Sequence, residues 1–178
     1  MPDEKIELGT EDRQPEIKVK QEQLEQFILQ IESEQNFMAA VIAGVAAALI
    51  GAIIWAVITA TTKYQIGWMA VGIGFLVGVA VRYFGKGIDQ KFGIVGAVLS
   101  LLGCLVGNFL FVVVLVAQSE NIPILSLLAN SNLEIIFAVI ANTFEVIDLL
   151  FYGIAVYAGY RFSFRRLTEE EFAQNISG

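Results

Sequence analysis

In a chain whose middle is almost free of charge, the polar side chains inside apolar runs are the first candidates for function. Asn108 sits within the uncharged stretch 92–119, in line with Ser100 and Cys104. An amide at such a place either bonds to a neighbouring helix or coordinates a passing ion. Further along, Glu145, Asp148 and Tyr152 recur at i, i+3 and i+7, which is one face of a helix. Two readings of these acids stand side by side. Asn142-x-x-Glu145 is a cap-like helix start, where carboxylates suit the helix dipole. Alternatively, the three residues line an outward-facing vestibule for cations, which four or more subunits would turn into rings of carboxylates. Asn108, Glu145, Asp148 and Tyr152 therefore form the candidate ion path. Glu120 and Glu134, set against Lys63 alone, make the same side of the protein acidic.

Other chemistry is poorly supplied. The 178 residues include no histidine, which removes the commonest general base and the commonest transition-metal ligand. The single cysteine, Cys104, lies in an apolar run, so neither an internal disulfide framework nor a CxxC zinc site can form. A hydrolase needs an activated nucleophile with a base in reach. Ser100 or Cys104 would have no histidine, and the two acids lie near the opposite membrane face. No enzyme, cofactor or metal centre is expected. The net charge of −7 resides mostly in the tails and argues against nucleic acid and against a basic patch for anionic lipid.

The elements that must position these residues follow from the charge distribution. Of 29 charged residues, 20 fall in residues 1–36 and 161–178, leaving 9 for the 124 between. A soluble globule of this size would not carry such a surface, and 56% hydrophobic residues against 16% charged point to an integral membrane protein. A spanning helix needs about 20 mostly apolar residues. The sequence predicts a transmembrane domain over 37–162, an all-α bundle of four spans at about 38–62, 65–84, 92–118 and 144–162. Arg82 can snorkel from the end of the second. Residues 119–143 form an outer loop containing two short helices, at the interface or dipping into the outer leaflet. Asn121-Ile122-Pro123 reads as the start of one, and the capping-box pattern Ser131-Asn132-Leu133-Glu134 as the start of the other.

The positive-inside rule agrees with this topology. With both termini cytoplasmic, the inner side holds Lys5, Arg13, Lys18, Lys20, Arg82, Lys86, Lys91, Arg161, Arg165 and Arg166, against Lys63 outside. The first 36 residues have neither a basic start nor an early apolar core, so no signal peptide is expected. Residues 1–15 read as a disordered acidic tail and 163–178 as a cytoplasmic tail. From 16 to 36 the pattern changes: Leu24, Phe27, Ile28 and Ile31 fall at helical spacing among Gln and Glu, which predicts an amphipathic helix on the membrane face or against a partner.

The first span carries Ala40, Gly44, Ala48, Ala52, Ala56 and Ala60 at every fourth position, with Ala47 and Gly51 beside them. The second repeats the device as Ala70, Gly74 and Gly78, and the third as Gly103 and Gly107, with a more polar version in Gly96, Ser100, Cys104 and Asn108. Small residues at this spacing let another helix approach closely. Three grooved helices in a four-span chain are more than tight packing asks for, and the surplus points to contacts between subunits. Val71-Gly72-Ile73-Gly74-Phe75 is neither a potassium filter, which is an extended loop behind a pore helix, nor a dinucleotide fingerprint, which follows a strand.

The run Tyr64-Gln65-Ile66-Gly67-Trp68-Met69-Ala70-Val71-Gly72-Ile73-Gly74-Phe75-Leu76-Val77-Gly78, followed by Arg82, Gly85-Lys86-Gly87 and Phe92-Gly93, resembles a group of small bacterial membrane proteins without known activity. Some of these carry an N-terminal zinc ribbon, for which this chain has no Cys or His. The resemblance covers spans one to three and implies a bacterial plasma membrane. The expected function is that of a structural or accessory membrane protein, with the lipid bilayer around it, assembled through small-residue faces with itself or with membrane partners. The alternative is an oligomeric cation channel or small transporter with an acidic outer vestibule.

Overall fold

The computed structural model describes residues 13–62 and 67–166, with side chains described from Gln21 onward. The expected tail up to residue 12, the turn with Lys63, Tyr64, Gln65 and Ile66, and the C-terminal tail from residue 167 lie outside the described residues. Among these there are seven helices and no strand: α1 (Arg13–Glu34), α2 (Phe37–Thr62), α3 (Trp68–Gly85), α4 (Gln90–Glu120), α5 (Ile124–Asn130), α6 (Leu133–Thr143) and α7 (Val146–Phe162). The chain divides into two units, one holding α1 and the other running from Asn36 to Arg165.

In the first unit, α1 begins at Arg13, ahead of the expected start at residue 16. Phe27 and Ile31, one turn apart, are buried, and Leu24 is half-buried. Ile28 and Leu29 are exposed, so the buried stripe is narrower than the sequence spacing implied.

In the second unit, α2, α3 and α4 are each long and apolar enough to cross a membrane, and they make the chain a membrane protein. The expected fourth span, 144–162, contains a helix of only 17 residues, about 25 Å long at ~1.5 Å per residue. The helices α5 and α6 reach the length of a span only as a pair, and they are bent by 111° at their junction.

Local chemistry explains the boundaries. Asn36 caps α2: its Oδ1 accepts the Ala39 N–H at 2.9 Å. Its own N–H donates to Gly85 O at 2.9 Å and so ties the start of α2 to the end of α3. Lys86 ends α3 and Asn121 ends α4, both in the left-handed region with φ of 49° and 58°. Each donates its N–H back into the last turn, to Arg82 O and Ala117 O respectively. Asn121 is thus the end of α4, and α5 starts three residues later, after Pro123. The cap of α6 is Asn132, whose Oδ1 accepts the Ile135 N–H at 2.8 Å. The expected cap, Ser131, instead donates its hydroxyl back to Leu127 O at 2.8 Å.

Helices α2, α3, α4 and α7 pack as a four-helix cluster in which α3 and α4 each touch all three others, while α2 and α7 do not meet among the described residues. The small residues make these contacts. Ala40, Gly44, Ala48, Gly51, Ala52, Ala56, Ala70, Gly74, Gly78, Gly103 and Gly107 are all buried within the one chain. Gly44 faces Leu99 and Val81, Gly51 faces Ile73, Gly103 faces Ala48 and Gly107 faces the Trp55 ring. These small residues of the first three spans therefore pack against the chain's own helices.

The tightest approach involves backbone on both sides. A Cβ on Gly74 would lie 2.7 Å from Ala155 Cα, and one on Gly159 would lie 2.6 Å from Gly96 O and 2.9 Å from Ser100 Cβ. Gly72 and Gly153, in contrast, have nothing within 4 Å of such an atom. Gly159→Val is accordingly expected to cost about 1–3 kcal/mol, the usual penalty for overpacking. Gly72→Ala and Gly153→Ala should leave stability unchanged or raise it by up to about 1 kcal/mol. Thermal unfolding of the detergent-solubilised variants checks the contrast. Equal midpoints for Gly159→Val and the parent would refute the packing described.

Candidate functional site

Helices α4 and α7 run antiparallel: Gly96 packs on Gly159 and Ser163, Ser100 on Gly159, and Asn108 on Tyr152. Along this interface two i, i+4 pairs face one another, Cys104 with Asn108 on α4 and Asp148 with Tyr152 on α7. All four side chains are buried, with Cys104 at 0%, Asn108 at 1%, Asp148 at 4% and Tyr152 at 5% exposure.

Asn108 is the centre of the group. Its Nδ2 donates to Thr143 Oγ1 at 3.3 Å, and Tyr152 of α7 lies beside it. The Oδ1 atom is buried without a partner. The Thr143 hydroxyl donates its own proton to Val139 O at 2.8 Å. The Cys104 thiol points to Ala70 O of α3 at 3.7 Å. The Phe144 ring meets Tyr152 edge-on, with centroids 6.0 Å apart. Thr143 is the residue the sequence did not reveal, because no spacing rule connects it to Asn108.

The two acids are placed differently from one another. Glu145 is the N-cap of α7 and Asp148 its third residue, and they form a reciprocal capping box. Asp148 Oδ2 accepts the Glu145 N–H at 3.0 Å, and the Glu145 side chain accepts the Asp148 N–H. Glu145 is exposed and Asp148 buried. The helix therefore starts at Glu145 and not at Asn142, whose amide donates to Ala138 O at 2.7 Å at the end of α6. Glu145 and Asp148 do not line a common open face; only Asp148 and Tyr152 belong to the buried group.

Away from this group the interior polar groups close locally. Ser100 donates to Gly96 O at 2.6 Å, Ser163 to Gly159 O at 2.5 Å and Thr59 to Trp55 O at 2.8 Å. Trp55 is buried at 1% exposure, and its Nε1 lacks a partner. No group of three His, Cys, Asp or Glu residues able to hold a metal ion occurs among the described residues.

No known protein family matches the chain, and no curated protein or solved structure shows significant similarity to it.

The capping box makes a measurable statement about α7. Removing one member, as in Glu145→Ala or Asp148→Ala, is expected to cost about 1 kcal/mol each, the usual loss for an N-cap. In a double-mutant cycle the two losses should be less than additive, because each bond holds the same turn. Strictly additive losses in thermal unfolding would show that the two carboxylates act independently.

Proposed function

We propose that this protein is a structural or accessory integral membrane protein, a four-span bundle of α2, α3, α4 and α7 with both termini cytoplasmic. The membrane implied by the sequence resemblance is a bacterial plasma membrane. The observation that carries the reading is an outward-facing apolar groove of about 550 Å³ between α2 and α3. Its floor is small, with Ala39, Ala43, Ala46 and Ala80, and its walls are large, with Ile42, Ile50, Leu76 and Phe84. A small floor between large walls suits a second transmembrane helix, from another copy or from a partner protein. Around it the bundle presents a belt of exposed apolar side chains, among them Leu49, Ile53, Val57, Phe75 and Val98.

This relocates the assembly face. Gly44 and Gly51 are inside the chain, so their replacement tests folding and not association. The pair Ala43→Leu and Ala46→Leu, by filling the groove, is expected to shift the particle to a smaller mass while leaving the unfolding midpoint within about 1 kcal/mol of the parent. Mass measurement after gentle extraction from the native membrane reads the outcome. An unchanged particle in the groove-filled variant would reject the groove as the assembly face. The topology has its own check. Cysteine introduced at Ser126 should react with a membrane-impermeant thiol reagent in intact cells, and cysteine at Gln90 only after lysis. The reverse pattern would invert the proposed orientation.

The second reading, an oligomeric cation channel or small transporter, has one observation in its favour. That is the acceptor-rich group around Asn108, Asp148 and Tyr152. Towards Gly96 and Ser163, however, the hydroxyls bond to their own helices and the backbones of α4 and α7 touch. A conducting path through one chain has no support in that half of the interface.

A further inference from the structure

We propose that the end of the second unit where α3 and α7 finish is a docking surface for anionic phospholipid headgroups, with Arg82 and Arg161 as contact residues. The proposal is independent of the accessory reading and of what occupies the groove between α2 and α3.

The net charge of −7 argues against a basic patch, but it averages over two ends that the fold keeps apart. In the second unit, Glu120, Glu134, Glu145 and Asp148 all fall between the last residue of α4 and the first turn of α7. The cations gather at the opposite end. Lys86, Asp89 and Lys91 lie on the connection from α3 into α4, and Arg165 is tied to it, its N–H donating to Gly87 O at 2.9 Å. Arg82 and Arg161 stand in the last turns of α3 and α7. These two helices run parallel, with Gly74 against Ala155 and Gly78 against Gly159 and Phe162, so both finish at this end. Five cations thus face one acid, Asp89, which Lys91 engages at 2.7 Å, and the balance is four positive charges. The helix dipoles do not offset it. Two helices end here, and α2 and α4 begin here, so their opposite partial charges cancel.

Two features make the occupant a lipid. Tyr83, 74% exposed, follows Arg82, and the exposed Tyr160 precedes Arg161; such rings mark the headgroup level of a bilayer. Phe75, two turns before Arg82 on the same face of α3, is exposed and meets the Phe162 ring with centroids 5.0 Å apart. An acyl chain lying over this ring pair leaves its headgroup at the level of the arginines. Both arginines are available to it: neither takes part in a hydrogen bond or ion pair among the described residues. Arg82 is half-buried, and a partly desolvated cation calls for a partner. A guanidinium fits phosphate oxygens with paired N–H donors, and basic pockets between spans suit anionic headgroups.

The test uses the purified full-length protein in an uncharged detergent, with fluorescent phosphatidylglycerol and phosphatidylcholine as probes. Fluorescence anisotropy reads the affinity for each, and their ratio is the preference. The parent should prefer phosphatidylglycerol, and the preference should shrink as salt rises. Arg82→Gln and Arg161→Gln should each lower it by about fivefold, the usual weight of one cation near a membrane surface. Asp89→Asn removes the one acid, keeps a helix-capping residue and should raise the preference. Glu134→Gln, at the other end, should leave it unchanged. If Arg82→Gln fails to fold, the exposed Arg161 and Asp89→Asn carry the test. Inorganic phosphate at matched ionic strength should not displace the lipid. Equal affinity of the parent for both lipids overturns the proposal, as does a preference that Arg161→Gln and Asp89→Asn both leave unchanged. Displacement by inorganic phosphate overturns it too, since the ligand would then be a soluble anion. So does a preference that appears only in Glu32→Gln with Glu34→Gln, because the chain's own acids would then be the occupants.

Discussion

The approach of backbone to backbone at the α7 seam governs the second unit. In a bilayer there is no hydrophobic drive between helices, because lipid tails are as apolar as leucine, and association depends on how closely atoms pack. Gly74 against Ala155, Gly78 against Phe162 and Gly159, and Gly96 against Gly159 bring three helices together at one line. With a large side chain at any of these positions α7 would move outward, and the contact of Asn108 with Tyr152 higher along the same interface would open. The packing of small residues and the composition of the polar group are one problem viewed at two heights of α4.

Polar satisfaction follows from that geometry. A hydroxyl deep in a helix needs an acceptor, and in this interior Ser100, Ser163 and Thr59 find it one turn back on their own helix. Such bonds ask nothing of a neighbour, so the helices can pack through small residues alone. Asn108 cannot follow the same solution completely. Its amide has donors and an acceptor pointing in different directions, and its Nδ2 donates to Thr143 of another helix, α6. The acceptor is not met, which singles this position out from every other polar residue in the seam.

The sequence made the helical class, the three long spans and the small-residue stripes legible, because each is a property of composition along one helix. It did not reveal which helix covers which stripe. Three grooves looked like more than a four-helix chain needs, yet α3 and α4 each serve three neighbours, and Gly44, Gly51, Gly103 and Gly107 are taken up by those contacts. The caps show the same limit at short range. Asn132 and Ser131 are adjacent, both are good caps, and only the direction of the chain at the α5–α6 bend decides that Asn132 takes the role. Asn108 was legible as a polar residue in an apolar run. Thr143 was not, since it meets Asn108 through tertiary structure across 35 positions.

Helix lengths explain why α6 delivers Thr143 to that place. The 31 residues of α4 extend about 46 Å, against about 27 Å for the 18 of α3 and about 25 Å for the 17 of α7. The last turns of α4 therefore outrun α3 and α7. The α5–α6 pair folds back over them at its 111° bend, and Leu127, Ile135 and Val139 frame a cavity of about 180 Å³ against Phe109, Val112 and Val116. Once α6 lies along α4 to cover these residues, its final turn arrives at the level of Asn108, and α7 must begin there. The capping box of Glu145 and Asp148 secures that start. The excess length of one helix thus creates the need for a cover, and the cover brings Thr143 to the Asn108 amide and starts α7, with Tyr152, beside it.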